Sequence, residues 1–459
     1  MPEGICPDSY RGETMNLLFI SLGCDKNLVD SEVMLGIVEK DGYTIVDCEE
    51  DADIIVINTC CFIHDAKEES IQTILEMAEY KKTGRLKALI VAGCLAQRYK
   101  EEIIAEIPEV DAVLGTTSYD KIAETIKKAL NNSGFIELTD INALPLVDIR
   151  RLVTTGGHFA YLKIAEGCDK HCTYCIIPKL RGNYRSVPME RLVNEAKALA
   201  DQGVRELLLV AQETTLYGKD LYGEKSLHIL LRKLCKIQGL RWIRILYCYP
   251  EEIDDKLIQV MKEEKKICHY LDLPIQHSED EILRRMGRRT TRQQLISTIR
   301  KLRREIPDIV LRTTLITGFP GETKEQHEAL MDFVDEMEFE RLGVFTYSPE
   351  EDTPAADFSG QIAEEVKEER RAELMELQQE IVFDQAEAMT GRELLVMIEG
   401  KVADEDAYVG RTYMDAPNVD GLIFMNTDKE LMSGDFAKVT VTGAAEYDLI
   451  GELSDEFTK

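Results

Sequence analysis

No run in the 459-residue sequence is apolar over the roughly 18 to 20 residues needed to cross a bilayer, which argues against a membrane-spanning helix. The opening MPEGICPDSYRGET also lacks the basic segment followed by an apolar one that marks a secretory signal, so residues 1–14 read as a disordered extension ahead of Met15. Basic charge is scarce: 55 Lys and Arg stand against 85 Asp and Glu, a formal net charge of -30. Such a polyanion repels phosphates, which disfavours general nucleic-acid affinity and favours a basic protein partner. With no sign of export, a cytoplasmic location is expected. There the 12 cysteines point to metal binding or catalysis before disulfides.

What is present divides the chain into parts. From residue 15 to 131, short apolar runs such as NLLFISL, DIIVIN and KALIVAG alternate with helical patterns, as in a doubly wound parallel α/β domain. Residues 132–157 read as a polar, irregular linker. Over 158–388, six further apolar runs alternate with helices and suggest a partial (β/α) barrel, followed by a long charged connecting helix. Residues 389–455 switch to alternating apolar and polar positions between turns, the pattern of a small antiparallel β-barrel.

The stretch EGCDKHCTYCIIP holds Cys168, Cys172 and Cys175 with no second cysteine pair nearby. It follows the first strand of the partial barrel, at the mouth where such barrels place their chemistry. A structural zinc site wants four closed ligands, whereas three thiolates suit a cubane iron-sulfur cluster with one iron open. Zinc remains the second reading and packing of buried cysteines the third. In the first domain, three strand patterns also end in cysteine: Cys24, Cys60 with Cys61, and Cys94, at intervals of 36 and 34 residues. Carboxyl ends of parallel strands share one edge, so these thiols can converge. An extended chain cannot point Cys60 and Cys61 the same way, and spacing does not choose between them. Single buried cysteines are common packing residues, but three in equivalent places favour a second three-thiol site.

The C-x3-C-x2-C loop resembles the radical S-adenosylmethionine superfamily, and with a second three-cysteine set the whole chain from Met15 resembles the methylthiotransferases, with a carboxyl-terminal barrel of the TRAM type. The motifs SLGCDKNLVDSE, NTCCFIHDAKEESI, LPIQHS, TLITGFPGET and YSPEEDTPAA are similar to the RimO branch, and Asp25-Lys26 stands where the tRNA-modifying MiaB branch usually has Gln-Met. The resemblance implies two 4Fe-4S clusters, one held by Cys24, Cys60 and Cys94 and the other by Cys168, Cys172 and Cys175, with both facing one cavity. It implies S-adenosyl-L-methionine on the open iron of the second cluster, Tyr174 near the adenine, Gln212 and Glu213 near the methionine amine, and Gly318 where backbone approaches the ligand. It also implies methylthio transfer to an aspartate Cβ of the twelfth small-subunit ribosomal protein, and an electron donor such as flavodoxin or ferredoxin. The alternatives are a tRNA adenosine methylthiotransferase or a non-catalytic iron-sulfur carrier.

Charge bears on the substrate independently. From Gly391 to Lys459, 6 Lys and Arg face 15 Asp and Glu, which suits a basic ribosomal protein and repels tRNA. The stretch Arg284–Arg304 runs the other way, with nine basic residues and no acid; a solvated helical face, ribosomal RNA contact and an acidic electron donor are its readings. His277 either lines the substrate mouth or packs its loop.

Overall fold

The computed structural model describes residues 15–145, 150–403 and 405–458. The expected extension at 1–14 and residues 146–149 of the expected linker lie outside the described residues. The chain forms two compact units, residues 1–152 and 153–459. Among the described residues no helix is long and apolar enough to cross a membrane.

The first unit is a six-stranded parallel sheet of β1 (Asn16–Ser21), β2 (Thr44–Val46), β3 (Ile54–Thr59), β4 (Ala88–Gly93), β5 (Ala112–Leu114) and β6 (Phe135–Glu137), in the order β2-β1-β3-β4-β5-β6. Every residue of β3 and β4 is buried, which is why residues 54–57 and 88–93 read as unbroken apolar runs. On one face Leu17, Val56, Ile90 and Leu114 form a core with Met34 and Val38 of helix Asp25–Lys40 and Ile122 and Ile126 of helix Ile122–Ala129. Each such side chain contributes roughly 1.5–3 kcal/mol on burial.

Two parts of the expected linker belong to this unit. β6 adds a sixth strand, too short at three residues to show a period. Farther on, Arg151 Nε lies 3.0 Å from Glu32 Oε2, both buried, and the Leu152 amide donates to the Glu32 carbonyl.

In the second unit, β7 (Phe159–Lys163) leads into a two-stranded hairpin of β8 (Ala165–Glu166) and β9 (Arg185–Ser186). A parallel sheet then runs through β10 (Glu206–Val210), β11 (Trp242–Ile245), β12 (Ile267–Asp272), β13 (Val310–Thr317) and β14 (Arg341–Thr346), in the order β14-β13-β12-β11-β10-β7. These are the six strands expected of a partial barrel. Helix Glu364–Glu387 packs on β14 and on helix Lys324–Met337.

The chain ends in a closed barrel of β15 (Glu393–Lys401), β16 (Ala407–Thr412), β17 (Ile423–Asn426), β18 (Phe436–Ala445) and β19 (Asp448–Thr458). It departs from the all-antiparallel expectation in one pair, since β17 and β19 run parallel to close the ring. This barrel docks on side chains of β10, β11 and β12. Glu206 of β10 binds both Arg244 of β11 and Arg411 of β16 at 2.8 Å, and the Tyr270 hydroxyl of β12 donates to Asp420 (2.7 Å). The cysteine loop follows the carboxyl end of β7.

Candidate functional site

The cysteine loop of the second unit is built on a buried carboxylate. Glu166 accepts hydrogen bonds from Lys163 Nζ (2.7 Å), Arg181 Nη1 (3.1 Å) and Gln212 Nε2 (2.7 Å). Burial opposes its charge, but Lys163 and Arg181 outweigh that and hold the carboxyl well below the usual carboxylate range. Gly167 turns the chain at φ +80°, where a Cβ would lie 2.1 Å from the Asn183 carbonyl oxygen, so only glycine fits. The Cys168 amide then donates to the Gly182 carbonyl, and Thr173 binds the carbonyls of Met286 (2.9 Å, amide) and Arg285 (2.8 Å, hydroxyl).

Cys168 and Cys172 are buried and Cys175 is partly covered. Burial pushes the Cys168 thiol up to about 12 and raises Cys175 as well, so these sulfurs ionise near neutrality only against a bound cation. Among the described residues, the donor trio gathered within 4.8 Å is Cys48, Glu49 and Glu50, not these three thiols. One tetrahedral ion with bonds of about 2.3 Å would draw its sulfurs inside that span. A cubane, which binds each thiolate to a different iron, spreads them. The donor set therefore fits an iron-sulfur cluster better than zinc.

The structure distributes the other expected residues unevenly around this loop. Glu213 is 1% exposed, and burial raises its carboxyl to about 7 even with Lys170 Nζ 3.5 Å away. Its Oε2 has no hydrogen-bond partner, and it lies close enough to raise Cys168 electrostatically. Gln212 instead turns back onto Glu166. Tyr174 packs beside an apolar group of Ile282, Met286, Phe319 and Tyr347. Gly318 has φ +72°, and a Cβ there would lie 2.3 Å from Lys367 Cγ, so its lack of a side chain makes room for helix Glu364–Glu387. His277 is fully buried beside His327, Arg370 and Arg292, as a packing residue would be.

Arg288 went unassigned in the sequence. Its buried guanidinium stacks on Tyr249 (4.3 Å), whose hydroxyl is 3.9 Å from Cys172 Sγ, and Nη2 donates to the Pro274 carbonyl (2.8 Å). Its Nε and Nη1 have no partner. Its placement depends on β12 and the following helix, and no local spacing announces that.

In the first unit, Cys24, Cys60 and Cys94 stand just beyond β1, β3 and β4, which are neighbours in the sheet. A Cβ at Gly23 would lie 2.6 Å from Cys60 Cβ and 3.0 Å from its Sγ, so the residue before Cys24 packs directly on Cys60. Asn27, wholly buried, joins the loops. Its Nδ2 donates to the carbonyls of Leu22 (3.0 Å) and Thr59 (2.8 Å), and its Oδ1 is 4.0 Å from Cys94 Sγ. Cys24 is the N-cap of helix Asp25–Lys40 and Cys94 opens helix Cys94–Glu106, so two positive helix ends face the thiols and favour a bound anion.

A parallel barrel sheet with three thiols at its mouth defines a radical S-adenosylmethionine enzyme. Residues 162–334 match the radical SAM superfamily, residues 16–115 the uncharacterized protein family UPF0004, and residues 390–453 the TRAM domain. The chain is 67% identical over 437 residues to the ribosomal protein uS12 methylthiotransferase RimO of Lachnoclostridium phytofermentans, covering 95% of this chain and 99% of that protein. It is 50% identical to the RimO of Acetivibrio thermocellus, covering 96% and 98%. Among solved structures, the radical S-adenosylmethionine methyltransferase TsrM of Kitasatospora setae shares the fold, with a TM-score of 0.55 at 14% identity over 75% of this chain and 74% of that one. The chain belongs to the RimO methylthiotransferase family.

Proposed function

We propose that this chain adds a methylthio group to the Cβ of an aspartate in ribosomal protein uS12, the substrate named for its relatives. The observation that carries the reading is the pair of three-cysteine sets, each at the carboxyl ends of its own parallel sheet. When bound, 4Fe-4S clusters at the two sets and S-adenosyl-L-methionine at the second supply the radical and the methylthio sulfur. Cys24, Cys60 and Cys94 would hold one cluster, and Cys168, Cys172 and Cys175 the other. Glu213, buried and without a hydrogen bond at Oε2 though 3.5 Å from Lys170 Nζ, suits the methionine ammonium, and the Nε and Nη1 of Arg288, which have no hydrogen-bond partner, suit its carboxylate. Tyr174, packed beside Ile282, Met286, Phe319 and Tyr347, would offer an aromatic face to the adenine. No side chain here is basic enough to take a proton from a saturated carbon, so the protein's part is to orient and to exclude water.

An acidic barrel supports a basic protein substrate over tRNA. The test is anaerobic turnover with uS12 and with tRNA in parallel. Mass spectrometry should find the methylthio gain on uS12 aspartate, and a gain on tRNA adenosine alone would overturn the assignment. Cys168→Ala should abolish S-adenosylmethionine cleavage, whereas Cys24→Ala should spare cleavage and stop sulfur insertion.

A further inference from the structure

Of the basic stretch Arg284–Arg304, only Arg288 and the carbonyls of Arg285 and Met286 take part in the second cysteine site. Seven of its nine cations are engaged within the protein. Arg285 lies over Phe358 and Arg288 over Tyr249, while Arg292, Arg300, Lys301, Arg303 and Arg304 pair with Glu279, Glu336, Asp255, Glu340 and Glu305. Arg284 and Arg289 are exposed, and among the described residues neither guanidinium has an ion-pair or hydrogen-bond partner.

These two stand on the segment fastened to the cysteine loop. Met286 and Arg288 point inward and are buried, and the Met286 and Arg285 carbonyls bind Thr173. Between them Gly287 offers little cover. A Cβ at this glycine would stand 3.4 Å from the His171 carbonyl oxygen and 3.5 Å from Cys172 Cα. His171 is itself exposed. Two exposed arginines without ion-pair partners and an exposed histidine thus stand on the two backbone segments that meet at Gly287 and Cys172.

We propose that the surface of Arg284, Gly287, Arg289 and His171 docks an acidic one-electron carrier protein that reduces the centre held by Cys168, Cys172 and Cys175. The proposal rests on the radical reading above, which requires one electron per S-adenosylmethionine cleaved. The carrier is oxidised by one electron. That electron ends in a carbon–sulfur bond of the sulfonium, which is reduced and breaks without proton transfer. Electron transfer slows steeply with distance, so the carrier must approach where the buried thiols have least covering. A chain of net charge -30 repels an acidic partner in general, and a local pair of unpaired cations both attracts and orients it. RNA would need a longer basic stripe to neutralise successive phosphates, and the paired arginines do not offer one.

The test compares the reconstituted enzyme with its Arg284→Glu/Arg289→Glu variant, using an acidic flavodoxin or dithionite as reductant. Flavodoxin binding, measured by interferometry at low ionic strength, should weaken at least about tenfold in the variant. Flavodoxin-driven S-adenosylmethionine cleavage should fall with it, dithionite-driven cleavage should not change, and Arg284→Lys/Arg289→Lys should retain both. Unchanged flavodoxin binding and rate would overturn the proposal. Retained flavodoxin binding with lost affinity for the small ribosomal subunit would also overturn it and assign the surface to RNA. Failure of dithionite to drive cleavage in the parent enzyme would instead overturn the radical reading.

Discussion

Cys60 and Cys61 are adjacent, and an extended backbone sends their side chains to opposite sides. Cys60 packs against Gly23, next to Cys24, and its amide and carbonyl are tied to Ser70. Cys61 is fully enclosed, and burial foremost raises its thiol far above the ordinary range. Cys60→Ser should therefore lower the iron bound on anaerobic reconstitution from about eight to about four per chain, whereas Cys61→Ser should leave it near eight, as iron analysis would report. His277 carries a prediction about pH. Burial first, then the cations His327, Arg370 and Arg292, depress its folded pKa from 6.5 to about 3. Below pH 6.5 the unfolded chain takes up a proton that the folded chain refuses, so stability falls as pH falls. The loss should reach about 2 kcal/mol by pH 5 and continue towards pH 3. His277→Asn should flatten this acid limb in urea titrations; an unchanged slope would show that other groups set it.

At the scale of elements, the cysteine loop owes its shape to the β8–β9 hairpin and the carboxylate beneath it. Glu166 joins β8 to the short helix Ile177–Arg181 and to Gln212, the residue before Glu213. Glu166→Gln would remove the charge that Lys163 and Arg181 share. Breaking a buried pair from one side typically costs about 3–5 kcal/mol. The variant should unfold at lower denaturant and bind less iron, with the shortfall confined to the second cluster's spectroscopic signal; normal loading would show that the loop is held otherwise. The cysteines were legible in the sequence because spacing within a loop and position at a strand end are local properties. The strands β3, β4 and β10 were legible as well, since both faces are buried and each carries an apolar run of at least four residues. Glu166, Arg288 and Asn27 were not, because each also depends on a partner far along the chain, Gln212, Tyr249 and Thr59 respectively, that becomes a neighbour only when strands assemble. β6 was missed for its three-residue length. Gly318 showed its flexible backbone in the sequence but not Lys367, the neighbour that requires it.

For the second unit as a whole, the question is whether the carboxyl-terminal barrel is a tethered module or part of the core. A chain of polar contacts crosses between them: His158 to Glu399 at 2.6 Å, Glu399 to Arg411 at 2.6 Å, Arg411 to Glu206 at 2.8 Å, and Glu206 to Arg244 at 2.8 Å. Arg244, Glu206 and Arg411 are each at most 1% exposed, so undocking would strip partners from charges set deep between the two parts. Salt screens such a chain weakly, in contrast to a surface pair. The sole tryptophan, Trp242 of β11, sits at this junction with its ring 4.9 Å from Phe436 of β18, and its fluorescence reports docking directly. If barrel and core form one cooperative body, the Trp242 signal and the hydrogen-exchange protection of β10 and β11 should be lost at the same urea concentration. Arg411→Met, which leaves Glu206 and Glu399 short of a cation, should move both transitions together by about 3–5 kcal/mol. A Trp242 transition that moves alone, ahead of the strand amides, would instead make the barrel a separately docking module.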